Sequence, residues 1–87
     1  MSISFPNPSR SYDEREKRVR FVGHDGMFEI PFFVGLEAFS KSARAGASEA
    51  ESLAGFDMSR KAIQDVAREA YANSRKSMYV LTAADFR

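Results

Sequence analysis

The sequence predicts an α+β fold, in which a small antiparallel sheet is packed on one face by a short helix and a long amphipathic helix. Two segments carry this prediction. Residues 17–33 alternate apolar and polar side chains around Asp25-Gly26, a preferred β-hairpin turn. Residues 59–75 repeat apolar side chains at helical spacing. Because each segment has one apolar face, packing the helix against the hairpin is the simplest way to bury both.

The length of 87 residues predicts a single domain, residues 1–87. So short a chain buries a smaller fraction of its surface than a large protein does, and many small domains gain stability by oligomerising. Its eight Phe and three Tyr each bury a large area, so a few of them can build a small core.

The N-terminal residues predict a short strand followed by a loop. Residues 3–5 suit a strand, which ends at the prolines of residues 6–8 because proline lacks the N–H that a sheet needs. Residues 9–16 are polar and charged, and they predict a loop.

The predicted hairpin covers residues 17–33, and its register follows from the turn. With Asp25-Gly26 at the turn centre, Phe21 faces Ile30. One face then carries only apolar side chains, namely Val19, Phe21, Phe28, Ile30 and Phe32. The opposite face, which we call the outer face, carries Arg18, Arg20, Val22, Glu29, Pro31 and Phe33. A slip of one residue would mix the two sets. The proline on the second strand predicts that this strand lies at an edge or ends nearby.

Two short elements are predicted between the hairpin and the long helix. Residues 34–43 predict a short helix that packs apolar side chains on the sheet. Residues 44–55 are small and polar, with Ser48 and Glu51 fitting a capping box and Gly55 fitting a helix stop. A single helical turn and a linker without regular structure are both good interpretations of that segment.

The long helix is predicted over residues 59–75 and a final strand over residues 78–82. Ser59 suits the N-cap of the helix, and Met58 and Ile63 then occupy the positions of a hydrophobic staple. The apolar face of the helix consists of Ile63, Val66, Ala67, Ala70 and Tyr71. The final strand is rich in residues that favour β structure.

Charge and composition exclude several classes of function. The net charge is +1, from 13 basic and 12 acidic residues, so the chain as a whole does not attract nucleic acid or anionic lipid. It has no cysteine, which excludes disulfides, thiol catalysis and cysteine-ligated zinc. The sequence shows neither a signal-peptide pattern nor a run of about 20 apolar residues, so we expect a cytoplasmic protein with no membrane contact.

His24 is the one histidine, and it precedes Asp25 at the tip of the hairpin. Adjacent side chains on a strand point to opposite faces, so the two do not form a catalytic dyad, and we interpret His24 as an exposed turn residue. No nucleotide-loop or hydrolase motif occurs. We therefore expect no catalytic residue, no metal and no cofactor. A small-molecule or enzymatic role near His24, Asp25 and Tyr71 or Tyr79 is an alternative.

A second alternative is a nucleic-acid-binding patch on the hairpin. Its basic residues are Arg15, Lys17, Arg18 and Arg20, and the expected aromatic neighbours are Tyr12 and Phe33. The acidic residues Glu16 and Glu29 oppose this hypothesis. Glu29 shares the outer face with the arginines, so cross-strand ion pairing is the simpler interpretation.

The outer face is the leading candidate for a binding surface. Val22, Pro31 and Phe33 form an apolar centre, and the charged residues form a rim, as in many protein interfaces. An equally good interpretation is that the first strand or the C-terminal tail covers this face within the same chain.

Four blocks of the sequence resemble a known family: SFPNPSRSYD (4–13), VRFVGHDGMFEIPFFV (19–34), GFDMSRKAI (55–63) and YVLTAADF (79–86). In this order they resemble the bacterial family called domain of unknown function 1488, whose small members occur mainly in proteobacteria. The resemblance implies a small α+β domain and supplies no activity, cofactor or catalytic residue. The leading hypothesis is a bacterial accessory module that forms a homo-oligomer, such as a dimer, or binds a protein partner.

Overall fold

The computed structural model describes residues 3–6, 9–39 and 48–86. Its elements, in chain order, are β1 (Arg10–Asp13), β2 (Arg18–Asp25), β3 (Phe28–Gly35), α1 (Leu36–Phe39), α2 (Glu49–Met58), α3 (Arg60–Asn73), β4 (Tyr79–Leu81) and a final 3₁₀ turn (Ala83–Phe86). The α+β class is therefore confirmed. The predictions for residues 40–47 lie outside the described residues.

The four strands form one sheet in the order β1-β2-β3-β4. The first three are antiparallel neighbours, whereas β4 runs parallel to β3. The expected wholly antiparallel sheet is therefore wrong for its last strand. The connection from β3 to β4 contains the three α-helices that the structure describes. A crossover of that length returns the chain to the end of the sheet where β3 began, which makes the two strands parallel.

The hairpin turn lies one residue later than predicted. Asp25 pairs with Phe28, so the turn centre is Gly26-Met27 and Phe21 faces Phe32 rather than Ile30. Gly26 has a φ of 64°, whereas the φ of Met27 is not positive. A type I′ turn, the type that Asp-Gly favours, requires a positive φ at both central residues, so this turn is of another type. Glycine at the first central position is the signature of a type II′ turn. Moving the turn by one residue shifts the pairing by two, so every side chain keeps its predicted face.

Pro31 does not mark an edge or an end of the sheet. Strand β3 lies between β2 and β4 and continues to Gly35. Pairing with β4 begins at Phe32, which lies opposite Tyr79. Pro31 therefore precedes the paired stretch, where its missing N–H leaves no gap in the β3–β4 ladder.

The N-terminal residues differ from the prediction. Instead of a strand at residues 3–5, Ser4 forms a single bridge with His24, with backbone N···O distances of 2.9 and 2.8 Å. Strand β1 forms where a loop was expected and pairs with β2. The polar sequence of β1 does not show the alternation typical of a strand, because one of its inward positions is Arg10. The guanidinium of Arg10 binds the carboxylate of Asp57 in α2 at 2.8 Å instead of filling the core.

Helix α2 confirms the predicted capping box. The Glu51 amide donates to Ser48 Oγ (3.1 Å), and the Ser48 amide donates to Glu51 Oε1 (3.0 Å). The helix does not stop at Gly55 but ends at Met58. Met58 is 90% exposed, so the expected staple with the long helix does not form.

Helix α3 buries the predicted face. Ile63, Ala67 and Tyr71 are buried in the core. The side chain of Ser59 makes no capping hydrogen bond, because Ser59 is also the residue that ends α2. The predicted N-cap position of Ser59 is therefore confirmed, since α3 begins at Arg60, but the side chain does not provide the expected capping hydrogen bond.

The core lies on the side of the sheet opposite the outer face. Phe21 and Phe32 stack with ring centroids 5.3 Å apart, and Phe32 stacks on Tyr79 at 4.9 Å. Helix α2 contributes Phe56, whose ring centroid lies 5.3 Å from that of Phe21. At one end of this side, Gly23 leaves room for Ile3, whose Cδ1 would lie 2.6 Å from an added Cβ. Aromatic residues therefore build much of the core, as predicted, and Phe56 joins α2 to the sheet.

Candidate interaction surface

The pairing of the strands places the outer face in four rows. Nearest the open end of the hairpin, Arg18 lies between Asp13 of β1 and Gly35 of β3. In the middle of the sheet, the neighbours across all four strands are Ser11, Arg20, Phe33 and Val80. Toward the hairpin tip, Val22 lies opposite Pro31 and His24 lies opposite Glu29. The basic end and the acidic end of this face are therefore separated by its apolar centre.

Arg18 stacks on the aromatic ring at the centre of the outer face. Its guanidinium carbon lies 4.0 Å from the centroid of Phe33, and its Nε lies 3.4 Å from Oδ2 of Asp13. The cation is therefore neutralised and covers part of the ring. The expected ion pairing of Arg18 with Glu29 is wrong, because the register places Glu29 at the opposite end of the hairpin.

Arg20 and Glu29 are the outer-face charges that remain open to solvent. Both are exposed, and within the described part of the chain neither forms an ion pair. Beside Arg20 and Val22, at the margin with β1, lies a depression of about 130 Å³ that Ser9 and Ser11 also line. The face thus has an unneutralised charge on each side of its centre.

The apolar centre is partly exposed. Val22, Pro31 and Phe33 are half-buried, and Val80, which extends the centre onto β4, is 49% exposed. The buried apolar residues of the described helices lie in the core on the other side of the sheet. Neither residues 3–5 nor the C-terminal 3₁₀ turn covers this face, because Ile3, Phe5 and Phe86 pack against that core.

His24 and Asp25 point to opposite sides of the sheet, as predicted from strand alternation. His24 is half-buried on the outer side rather than fully exposed, and its backbone binds Ser4. Asp25 is buried and accepts a hydrogen bond from the Tyr71 hydroxyl. The small-molecule alternative placed His24, Asp25 and Tyr71 at one site. Because His24 lies on the opposite side of the sheet from the other two, the three residues do not converge.

The cluster around Asp25 connects the hairpin tip to the end of α3. Arg75 Nη1 lies 3.9 Å from Asp25 Oδ2 and 3.4 Å from the Tyr71 hydroxyl, with its guanidinium carbon 4.5 Å from the Tyr71 ring centroid. The hydrogen bond to Asp25, together with burial, raises the pKa of the Tyr71 hydroxyl above its usual value. Tyr79 contacts the Tyr71 ring edge-on, but its hydroxyl binds the backbone of Ser74 and Lys76. Each polar group thus serves to hold two elements together.

The expected nucleic-acid patch is divided by the sheet. Tyr12 faces inward and packs against the core, so it does not lie beside Phe33 as predicted. Arg15 and Lys17 belong to the turn before β2, where Lys17 has a φ of 55°. Because Arg18 is paired with Asp13, the described residues present no row of free cations alternating with exposed aromatic rings.

Comparison with known proteins identifies a family. A family model described as a protein of unknown function, DUF1488, matches residues 3–82. The chain belongs to the DUF1488 family. The match spans the four strands and three α-helices found among the described residues, so the resemblance stated from the sequence is confirmed. A search of curated proteins found no match, and a search of solved structures found none.

Two further features concern the described part of this DUF1488 chain. None of its helices there is long and apolar enough to cross a membrane. No group of three or more His, Cys, Asp or Glu side chains is arranged there to hold a metal ion.

Proposed function

We propose that this DUF1488 chain is a non-catalytic interaction module that binds a protein through its outer face, extended by Val80. One observation supports the proposal above all. An apolar centre of Val22, Pro31 and Phe33 remains partly exposed between two unneutralised charges, Arg20 and Glu29. Aromatic and aliphatic groups surrounded by a charged rim are the usual composition of a protein-binding surface.

The rigidity of the surface favours binding. Its side chains stand on paired strands, and the stacking of Arg18 on Phe33 orders the ring before a partner arrives. Side chains that are already ordered lose little conformational entropy on association. Asp13 holds the arginine in this position, so the same residue supports the shape of the surface and removes a charge from it.

The size of the surface predicts a modest affinity. Two strands of eight residues, one of four and one of three, at about 4.8 Å spacing and about 3.3 Å rise, give a face of roughly 360 Å². Stable protein complexes bury about 800 Å² on each partner. We therefore expect a dissociation constant in the micromolar range and an interaction that forms and separates readily.

Site-specific photo-crosslinking in cells of the native host tests this function. A benzophenone amino acid at Val80 lies on the outer side of the sheet, whereas the same amino acid at Lys61 projects from α3, where the side chain is 93% exposed. We expect light-dependent protein adducts from position 80 and none from position 61. Equal yields from both positions would contradict the proposal, and adducts that a nuclease removes would assign the face to nucleic acid instead.

A further inference from the structure

We infer that the protein bound by the outer face is a second copy of this chain, related to the first by a two-fold axis that passes between Val22 and Pro31. This inference rests on the proposed function and names the partner at that same surface. A two-fold interface must be complementary to itself, because the same patch is used on both copies. The layout of charge and apolar surface on the outer face meets this requirement.

The charges are complementary across the proposed axis. Arg20 on β2 and Glu29 on β3 lie on the same side of the sheet, four residue steps apart along the strands, since Arg20 pairs with Phe33. That separation is about 13 Å. A two-fold axis that lies in the interface and crosses the line between these two side chains at its midpoint and at right angles places each side chain opposite the other. Each Arg20 then faces Glu29 of the other copy, and the interface contains this ion pair twice.

The centre of the face fits the same arrangement. The midpoint between Arg20 and Glu29 falls at the row in which Val22 lies opposite Pro31, so apolar side chains meet their own equivalents at the axis. The remaining cation of the face, Arg18, is already paired with Asp13 and does not place an unpaired charge in the interface. Like charges therefore do not meet, and the apolar surface is removed from water.

Charge reversal tests the axis directly. Arg20→Glu gives a chain with two acidic groups at these positions, and Glu29→Arg gives one with two basic groups. We expect each variant alone to self-associate at least about tenfold more weakly than the wild-type chain in sedimentation velocity, because like charges now meet twice in each dimer. An equimolar mixture of the two variants restores both ion pairs, so we expect it to form a heterodimer of near wild-type affinity.

The controls change charge by the same amount elsewhere. Lys61→Glu and Glu69→Arg alter exposed positions on α3, and we expect wild-type association from both. Circular dichroism confirms the fold of each variant, and the double variant Arg20→Glu/Glu29→Arg provides a second rescue within one chain. The axis is overturned if the wild-type dimer is insensitive to both reversals, or if neither the mixture nor the double variant restores association.

The failure of this inference can be separated from the failure of the proposed function. A wild-type chain that stays monomeric at millimolar concentration overturns the second copy as partner. If position 80 nevertheless crosslinks to a different protein in cells, the outer face still binds a protein. If position 80 gives no adduct and the chain is monomeric, both proposals fail.

Discussion

The guanidinium carbon of Arg18 lies 4.0 Å from the centroid of the Phe33 ring, on a side of the sheet where the described helices bury nothing. Asp13 fixes this arginine from the neighbouring strand. The contact keeps a large aromatic group in one orientation while leaving part of it open to solvent. An ordered aromatic residue at the centre of an exposed sheet is the feature on which the proposed function depends most.

Phe33→Glu is expected to abolish self-association without unfolding the chain. The substitution places a charge at the centre of the proposed interface, where desolvating it opposes binding. Phe33 is half-buried rather than part of the core, so the fold tolerates the change. Light scattering with size exclusion measures the oligomer, and circular dichroism checks the fold. An oligomer that persists in this variant would show that association uses another surface.

Phe56→Ala is expected to lower the free energy of unfolding by about 3–5 kcal/mol. Phe56 is fully buried and packs on Phe21, so its loss leaves a cavity between α2 and the sheet. Met58→Ala, on the same helix but at a 90% exposed position, should change the free energy by less than about 0.5 kcal/mol. Urea denaturation compares the two. Similar changes in the free energy of unfolding from both substitutions would mean that α2 does not pack against the sheet through Phe56.

Tyr71→Phe is expected to lower stability at neutral pH and to weaken its dependence on alkaline pH. The raised pKa of Tyr71 means that folding favours the protonated hydroxyl. Its contribution is fully present below the unfolded pKa of about 10 and is lost as pH rises through the higher folded pKa. Thermal melting of both chains from pH 7 to 11 measures this. An identical alkaline decline in the two chains would contradict the Asp25–Tyr71 hydrogen bond.

Asp57→Asn is expected to reduce stability at neutral pH but not in strong acid. The hydrogen bond from Arg10, reinforced by Arg60, lowers the pKa of Asp57. The contribution of its carboxylate is therefore present above the unfolded pKa of about 3.9 and is lost as pH falls through the lower folded pKa. Its side chain is 41% exposed, so solvent screening keeps the effect small.

The matched control for this substitution is Asp65→Asn. Among the described residues, this carboxylate pairs with two cations of its own helix, Lys61 and Arg68. Urea denaturation at pH 6 and pH 2 compares the two variants. The Asp57 variant should lose more at pH 6, because its carboxylate connects α2 to β1. Equal losses would mean that the link to β1 contributes no more than a local surface pair.

The sequence correctly predicted which side of the sheet each hairpin residue faces, but not which residues lie opposite each other on the two strands. Alternation separates the buried Phe21 and Phe32 from the outer Arg20 and Phe33 whichever of the two turn positions is chosen, because the two registers differ by an even number of residues. The turn itself was misplaced because Asp-Gly suits a type I′ turn, whereas Gly26 occupies the first position of a type II′ turn.

Contacts between distant segments could not be predicted from local patterns. Strand β1 has too few apolar residues to show a strand pattern, because Arg10 turns inward to a carboxylate 47 residues away. The link between Asp25 and Tyr71 spans 46 residues and follows from the docking of α3 on the sheet. The parallel direction of β4 likewise depends on the path of three helices. The outer face was predicted because it depends on strand alternation alone.

A dilution series followed by NMR tests the central claim, that the outer face of this DUF1488 chain is its contact surface. Methyl signals of Val22 and Val80 report on that face, and the methyl signals of the exposed Ala62 and Ala72 on α3 serve as controls. As the chain is concentrated from about 10 micromolar to about 1 millimolar, a range that spans the expected affinity, the two valine signals should shift together along one binding curve while the alanine signals stay fixed. Valine signals that do not change, or shifts confined to α3, would contradict the account.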